Sequence, residues 1–355
     1  MLEKFNKSLA ILWCFCMFSL YGDGPTEFER YMGKGTSHWI HVSKQEDVQI
    51  LSQLEDLYQK NKHLRFTDWG PYKIPKVIHF VWLGPDPFPP ASVENVRTWV
   101  AKHPDWTVKF WTDRDRFPPC SSMEVCDAHT FPFLFLRHCF EESNSWSEKA
   151  DVLRFEILYQ EGGLYVDHDA GCLQSFDGLH RGYHFYCGLQ TPHPPIAGRN
   201  ISSGLGLIGS SPFHPVIGRA IELIGSGWEG IGVKYRGRDI YSRVQLVRER
   251  TYIPLTYAIA DRLGEDENID IVFPAAYFFA KDEIPPLYSE HSFEKSWVLE
   301  DVKSSQVKKS TNRALSMLHR RSNLILWLGR GAISVNLLAF AGVFLYIYRK
   351  KKGKR

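Results

Sequence analysis

Residues 149–169 read KADVLRFEILYQEGGLYVDHD, and this stretch places charged side chains inside a largely apolar pattern. Between Ala150 and Tyr159 the apolar residues follow two helical lines, Ala150/Leu153/Ile157 and Val152/Phe155/Tyr159. Two such lines make most of the circumference apolar, which predicts a helix that is buried on most sides. Asp151 and Arg154 are three residues apart and share the remaining stripe. The spacing therefore predicts a buried helix that carries one carboxylate and one guanidinium.

The same stretch continues into a strand that ends in two carboxylates. Glu161-Gly162-Gly163 predicts the end of the helix, because glycine adopts the left-handed conformation that is common at helix C-termini. Leu164-Tyr165-Val166 predicts a short strand running into Asp167. Residues two apart on an extended chain face the same way, so Asp167 and Asp169 should point together and His168 to the opposite side.

Composition and charge indicate a large globular domain with appendages. The chain has 355 residues, of which 44% are hydrophobic and 23% are charged, so disorder is not expected. The net charge of +3 includes six positive residues in Arg349–Arg355, so the remainder of the chain is slightly acidic. This charge balance excludes a nucleic-acid partner. The seven cysteines contain no Cys-x-x-Cys pair, which excludes a zinc site of that type.

The two ends of the chain carry apolar segments. Residues 1–22 have two lysines before a short apolar run, which predicts a signal peptide or a short N-terminal hydrophobic segment. Residues 301–322 read as a polar linker to a single C-terminal transmembrane helix at 323–348, which is mostly apolar and long enough to span a bilayer. The polybasic tail at 349–355 favours the cytosolic side, which places the body in a lumen or exocytoplasmic space. Three basic residues on the other flank leave a cytosolic location of the main domain as an alternative; they are Arg320, Arg321 and Arg330.

The order of elements predicts a parallel α/β sheet. Residues 23–72 read as a helical lead-in, and the main domain is expected at 73–300. Residues 74–84 are apolar on both strand faces, as in a central strand that helices cover on both sides. A helix capped by Ser92 and a second strand at Trp106–Trp111 follow.

Strand ends locate the expected ligand crevice. Gly84, Asp113 and Asp167 each follow a predicted strand, and ligands of α/β sheets bind outside the carboxyl ends of the strands. Later in the chain, the pattern predicts a helix at Val216–Ile224 and then a flexible glycine-rich loop at Gly225–Gly232 that could close over a ligand.

Four segments together resemble a known family. They are Ile74–Gly84, Trp111-Thr-Asp113, Ala150–Asp169 with its Asp-x-Asp, and the late segment His291–Trp297. The chain resembles glycosyltransferase family 32, the DXD sugar transferases that include yeast initiating mannosyltransferases and inositol-phosphoceramide mannosyltransferases. The central stretch is also similar to the catalytic core of large clostridial glucosylating toxins. The resemblance covers roughly Lys73 to Trp297.

The resemblance implies a fold, a donor and a cofactor. The fold is GT-A, a Rossmann-like nucleotide-sugar-binding α/β fold with a mixed, mostly parallel sheet flanked by helices. The donor is a UDP- or GDP-hexose, the cofactor is Mn²⁺ or Mg²⁺, and the sugar is transferred with retention at the anomeric carbon. A hard divalent cation held by carboxylates would neutralise the charge of the departing diphosphate.

The resemblance also implies roles for individual residues. Asp169 is the direct metal ligand, Asp167 binds ribose or sugar hydroxyls and the metal, and His291 is a late metal or phosphate contact. Arg154 acts with these carboxylates in catalysis and grips the donor sugar together with Asp151. The remaining donor-binding positions are Val81 and Trp82 for the base, and Ser296 and Trp297 over the diphosphate.

The sequence is also compatible with purely structural roles for three of these sites. The Asp151–Arg154 pair could be a helix-surface ion pair, Trp82 a core residue and His291 a surface histidine. The chain also departs from the family at Ser203-Gly-Leu-Gly-Leu207, where many members carry an asparagine, and at Arg250–Thr256, where relatives have a Thr-Gly-Pro turn.

The expected function is a metal-dependent retaining glycosyltransferase that acts at a membrane. It would move a hexose from a nucleotide-sugar to a lipid or glycan acceptor, in a Golgi-like lumen if the source is eukaryotic. Because no second carboxylate is placed as a nucleophile, front-face substitution is preferred to double displacement. The alternatives are a toxin-like enzyme that modifies a protein and a non-catalytic, membrane-tethered sugar-binding module.

Overall fold

The computed structural model describes residues 24–236 and 240–294. The predicted N-terminal segment at 1–22, the linker at 301–322, the transmembrane helix at 323–348 and the tail at 349–355 lie outside these residues, as do Ser296 and Trp297. Among the helices of the described ranges, none is both long enough and apolar enough to cross a bilayer.

The described strands form one large and one small sheet. The large sheet contains β1 (Val77–Trp82), β2 (Thr107–Thr112), β3 (Glu124–Asp127), β4 (Gly163–Val166), β6 (Phe185–Leu189), β7 (Ser203–Ser210) and β8 (Asp270–Phe273). The small sheet pairs β5 (Ala170–Cys172) with β9 (Ser289–His291).

The large sheet is mixed and mostly parallel. Its strand order is β3-β2-β1-β4-β7-β6-β8. The pairs β2–β3, β1–β2, β1–β4 and β6–β8 are parallel, whereas β7 runs antiparallel to both β4 and β6. This confirms the predicted α/β class with a mixed, mostly parallel sheet.

Helices cover the sheet and occur between the strands along the described sequence. They are α1 (Glu27–Tyr31), α2 (Gln45–Asn61), α3 (Pro90–Lys102), α4 (Arg137–Glu142), α5 (Trp146–Gln160), α6 (Asp177–Gly182), α7 (Pro215–Lys234), α8 (Ile240–Val247) and α9 (Ile253–Arg262). A π-helical turn at Arg248–Tyr252 joins α8 to α9. Short 3₁₀ turns lie at Ser37–His41, Lys62–Phe66, Glu265–Glu267 and Ala275–Tyr277.

Helix α5 is the buried helix that the apolar pattern predicts. The Ser145 hydroxyl accepts a hydrogen bond from the Glu148 backbone N–H and caps its N-terminus. All residues from Val152 to Leu158 are buried, including the charged Arg154 and Glu156. Gly162 and Gly163 have φ values of 66° and 93°, so the predicted left-handed glycine turn leads the chain from α5 into the fully buried β4.

The helical lead-in packs against the sheet. The Tyr58 ring of α2 contacts Phe273 of β8 edge to face, with 6.3 Å between ring centroids. At the end of the same helix, Asn61 Nδ2 donates a hydrogen bond of 2.8 Å to the Asp270 carbonyl. Helix α2 therefore covers the β8 edge of the large sheet.

Two boundaries differ from the sequence prediction. Helix α3 begins at Pro90 rather than after Ser92, because the fixed φ of proline suits the first turn of a helix. The glycine-rich segment Gly225–Gly232 is not a loop: it lies inside α7, where Ile224 and Trp228 are buried. Burial of these side chains overrides the weak helix propensity of glycine.

The turn between α5 and β4 should tolerate no side chain at Gly162. A Cβ atom there would lie 2.7 Å from both the Ser210 carbonyl oxygen and Pro212 Cδ, in a backbone region that favours glycine. We expect Gly162→Ala to lower the free energy of unfolding by about 2 kcal/mol or more in urea titrations. Gly230→Ala is the matched control: the site is exposed, helical and open around its Cβ, so this change should raise stability by up to about 1 kcal/mol. Equal effects of the two substitutions would contradict the argument.

Candidate active site

Parallel pairing brings the ends of β1 and β4 to the same edge of the sheet. His79 of β1 pairs with Tyr165 of β4, so Trp82 and Asp167 lie at neighbouring carboxyl ends. Asp113 follows β2 at the same edge, and its Oδ1 accepts a hydrogen bond of 3.1 Å from the Gly84 backbone N–H. Residues from β1, β2 and β4 therefore lie together at the carboxyl ends of these strands, where the ligand crevice is expected.

The small sheet brings His291 to the two carboxylates. Ala170 of β5 pairs with His291 of β9, directly after the Asp167–Asp169 turn. One ligand atom from each of Asp167, Asp169 and His291 lies within 4.8 Å of the others. His291 Nε2 is 3.5 Å from Asp169 Oδ1 and 3.7 Å from Asp167 Oδ2. Because the His291 side chain is only 8% exposed, it is not a surface histidine.

The backbone around His291 holds Asp169 in place. Asp169 Oδ2 accepts a hydrogen bond of 2.9 Å from the Glu294 backbone N–H. The Asp169 carbonyl accepts further bonds from the Ser292 backbone N–H and hydroxyl. These bonds leave Asp169 Oδ1 facing His291.

Arg154 lies at the centre of a buried polar network. Its Nη1 donates a 2.7 Å hydrogen bond to the Leu205 carbonyl. Its Nη2 lies 2.8 Å from Tyr165 Oη, 2.9 Å from Asp151 Oδ1 and 3.1 Å from Asp167 Oδ1. With 4% exposure, Arg154 forms no surface ion pair.

Burial and neighbouring charges shift the acidity of the site. Burial would raise the pKa of the Asp167 carboxyl, but Arg154 and His291 hold that pKa well below its usual range. Burial would lower the pKa of His291, whereas Asp167 and Asp169 raise it above its ordinary value. Burial raises the pKa of Asp151 against the opposing effects of Arg154 and Thr251.

Tyr165 also belongs to this network, a role that the sequence motifs do not predict. Its hydroxyl donates a 2.9 Å hydrogen bond to Asp167 Oδ1, and its ring lies 3.9 Å from the Arg154 guanidinium carbon. The signal was present in the strand period, because Tyr165 lies two residues before Asp167 and shares its face.

Trp82 is only half buried, whereas Val81 beside it is buried. The Trp82 ring packs edge to face on His168, with centroids 4.9 Å apart, and its Nε1 donates to the Asp86 carbonyl. Ser92 Oγ lies 2.8 Å from His168 Nδ1, so Ser92 contacts the Asp-x-Asp turn instead of capping α3. The Trp82 side chain is therefore partly exposed at the carboxyl end of β1.

The absence of a side chain at Gly206 of β7 leaves room for Asp167 and His291. Its carbonyl accepts a 2.8 Å hydrogen bond from the Asp167 backbone N–H, which brings the two backbones together. A Cβ atom on residue 206 would lie 2.6 Å from Asp167 Oδ2 and 2.8 Å from His291 Nε2. This glycine lies in the segment where many family members carry asparagine.

The donor set suits a divalent cation. Carboxylate oxygens satisfy Mg²⁺ and Mn²⁺, and an imidazole nitrogen favours the transition metal. Asp167, Asp169 and His291 could therefore hold such an ion, with Tyr165 and Glu294 fixing the carboxylates from outside.

Removal of one ligand tests this cation site. We expect Asp169→Ala to weaken Mn²⁺ binding by about 100-fold or more, measured from the paramagnetic resonance signal of free Mn²⁺. Asp68→Asn removes an exposed carboxylate on the lead-in and should leave the affinity unchanged. An unaltered affinity in Asp169→Ala would show that the cluster does not bind the ion.

A methyl group beside the cluster provides an independent test. We expect Gly206→Ala to weaken Mn²⁺ binding roughly tenfold or more, because Asp167 or His291 must move away from the added Cβ. Circular dichroism should show native secondary structure in both this variant and the Gly230→Ala control, and the control should bind Mn²⁺ normally. Normal binding by Gly206→Ala would rule out the proposed close approach.

Known proteins with similar sequences include sugar transferases. Residues 89–186 match a family model described as a glycosyltransferase sugar-binding region containing a DXD motif. The chain is 34% identical over 106 residues to inositol phosphoceramide mannosyltransferase 3 of Schizosaccharomyces pombe, a match that covers 30% of this chain and 27% of that protein. It is 28% identical over 160 residues to mannosyl phosphorylinositol ceramide synthase CSH1 of Saccharomyces cerevisiae, covering 44% and 37% of the two chains.

The matched region is a minor part of both relatives, because it spans 27% and 37% of their lengths. Among solved structures, the PaToxG glycosyltransferase is similar with a TM-score of 0.41 and 18% identity, covering 61% of this chain and 79% of that one. The sequence comparisons confirm the predicted resemblance to DXD sugar transferases, and residues 89–186, which include the Asp-x-Asp motif, carry the match to the family model.

Proposed function

We propose that the chain is a metal-dependent, retaining glycosyltransferase of GT-A type that moves a hexose from a UDP- or GDP-sugar to a lipid or glycan acceptor at a membrane. The observation that carries the proposal is the continuity between two groups of side chains. The Asp167, Asp169 and His291 cluster shares Asp167 with the buried Arg154 network. A diphosphate on the cluster would therefore place the attached sugar beside Arg154 and Asp151.

The proposed chemistry rests on neutralising the departing diphosphate. Mn²⁺ or Mg²⁺ bound by Asp167, Asp169 and His291 would supply that positive charge. The protein orients the donor at three points: Trp82 stacks on the base, Asp167 binds hydroxyls of the ribose or sugar, and the Arg154–Asp151 pair binds the sugar.

Retention proceeds in this proposal by front-face substitution. Both oxygens of Asp151 are engaged, Oδ1 with Arg154 and Oδ2 with Thr251. Asp167 Oδ1 is likewise held by Arg154 and Tyr165. Hydrogen bonding lowers the nucleophilicity of these carboxylates. In the proposed step, the acceptor oxygen therefore attacks the anomeric carbon on the face from which the diphosphate leaves, the bond from that carbon to the diphosphate oxygen breaks, and the departing diphosphate takes the hydroxyl proton.

A lipid acceptor is supported by the relatives and by the sequence. The matched yeast proteins are named for mannose transfer to inositol phosphoceramide, which makes a mannose donor and a lipid acceptor the first pair to test. The apolar segment at 323–348 would keep the domain at a bilayer. We place the domain on the lumenal or exocytoplasmic side, as the flanking charges suggest, with the cytosolic side as the alternative.

A donor screen tests the proposal. The purified protein with Mn²⁺ should release nucleoside diphosphate from at least one of GDP-mannose, UDP-glucose, UDP-galactose and UDP-N-acetylglucosamine. We expect Asp169→Ala to lower this rate by about 100-fold or more, because charge on the leaving group is no longer neutralised. Asp68→Asn should retain full activity.

The outcomes separate the alternatives. Transfer to inositol phosphoceramide in detergent micelles supports the lipid acceptor, and glycosylation of an added protein instead of lipid favours the toxin-like alternative. Donor binding without turnover would indicate a sugar-binding module. The proposal fails if no donor is hydrolysed, or if Asp169→Ala leaves hydrolysis unaffected.

A further inference from the structure

The π-helical turn between α8 and α9 has an identifiable cause. The Ile253 backbone N–H bonds to the Arg248 carbonyl five residues earlier, so the turn is wider than in an α-helix. Pro254 follows immediately, and proline has no N–H and its ring collides with the carbonyl four residues before it. The wider turn accommodates Pro254 within an otherwise continuous helical segment.

This turn places two adjacent side chains on α5. Thr251 Oγ1 donates a 2.7 Å hydrogen bond to Asp151 Oδ2. Arg250 Nη1 lies 3.5 Å from Glu148 Oε2, one helical turn before Asp151 on the same face of α5. Thr251 is fully buried, so water cannot replace its hydroxyl from the surface.

A connected path leads from Thr251 to the proposed sugar pocket. Asp151 uses its other oxygen, Oδ1, to bind Arg154 Nη2 at 2.9 Å. Arg154 in turn contacts Asp167. In the described residues, the single proton of the Thr251 hydroxyl has two acceptors within reach, Asp151 Oδ2 at 2.7 Å and the Val247 carbonyl at 2.9 Å, and neither belongs to a cation ligand.

We propose that Thr251 is a positioning residue for donor-sugar recognition, fixing the Asp151 carboxylate so that Asp151 and Arg154 present one rigid surface to the sugar. The inference rests on the proposed function. Without the Thr251 hydroxyl, the Asp151 carboxylate can rotate, and Arg154 loses the fixed orientation of one buried counter-charge.

Loss of the Thr251 hydroxyl should weaken the binding of some ligands and not of others. Thr251 acts at the sugar end of the site, so its loss should affect ligands that carry a sugar and spare those that end at the diphosphate. Trp82 and the Asp167, Asp169 and His291 cluster should still bind the nucleoside diphosphate. If Thr251 had a purely structural role, its loss would weaken the binding of nucleotide-sugars and of nucleoside diphosphates alike.

The test compares paired ligands by titration calorimetry in the presence of Mn²⁺. The pairs are GDP-mannose with GDP and UDP-glucose with UDP, and the pair that the wild-type protein binds more tightly is used. Thr251→Val has nearly the same shape without the hydroxyl, and we expect it to weaken nucleotide-sugar binding about tenfold. The affinity for the matching nucleoside diphosphate should change by less than about twofold.

Three further variants make the test decisive. Thr251→Ser restores the hydroxyl and should recover wild-type selectivity. Thr67→Val removes a hydroxyl bonded to the Leu64 carbonyl in the lead-in, and should alter neither affinity. If Thr251→Val fails to fold, Thr251→Ala replaces it with the same expected direction.

The possible results lead to different conclusions. Equal weakening of both ligands, or no weakening of either, overturns the positioning role while leaving the proposed function intact. Binding of neither nucleotide-sugar nor nucleoside diphosphate by the wild-type protein overturns the proposed function, and the inference falls with it.

Discussion

The burial of the Arg154 guanidinium is the constraint on which the site depends. A buried charge is strongly destabilising unless its hydrogen-bonding capacity is met by well-placed acceptors. Here the two terminal nitrogens find acceptors on three elements, namely Asp151 on α5, Tyr165 and Asp167 at β4, and the Leu205 carbonyl of β7, whereas Nε has no hydrogen-bond partner among the described residues. Arg154 therefore fixes the relative positions of the central helix and two central strands. The same side chain links the structural core to the proposed chemistry.

Close approach of the backbones complements this electrostatic constraint. Gly206 lets β7 lie against the Asp167 turn, and Gly162 and Gly163 allow α5 to reverse directly into β4. Short connections keep Asp151 and Arg154 near the two carboxylates without flexible loops between them. The polar groups can then be preorganised by packing, as recognition of a sugar and a diphosphate requires.

Local sequence patterns predicted the parts of the molecule that depend on local rules. Helix α5, the glycine turn and the buried β4 follow from helical and strand periodicity, and residues two apart place Asp167 and Asp169 on one side. Gly206 and Thr251 carry no such signal, because their importance comes from neighbours distant in the chain. The helical state of Gly225–Gly232 was also hidden, since it depends on burial of Trp228 rather than on glycine itself. The roles of Ser296 and Trp297 stay predictions, because both residues lie outside the described part of the chain.

The pairing of β5 with β9 has a consequence for the order in which parts of the site form during synthesis. Ser292 and Asp169 are hydrogen-bonded across 123 residues of sequence, and the pairing of Ala170 with His291 brings His291 to the carboxylates. Closing so long a loop has an entropic cost that arises before the contacts it creates can compensate for it. During vectorial synthesis on the ribosome, the Asp-x-Asp turn emerges long before its histidine partner. A nascent chain can therefore form α5 and β4 well before it can complete the three-ligand cluster.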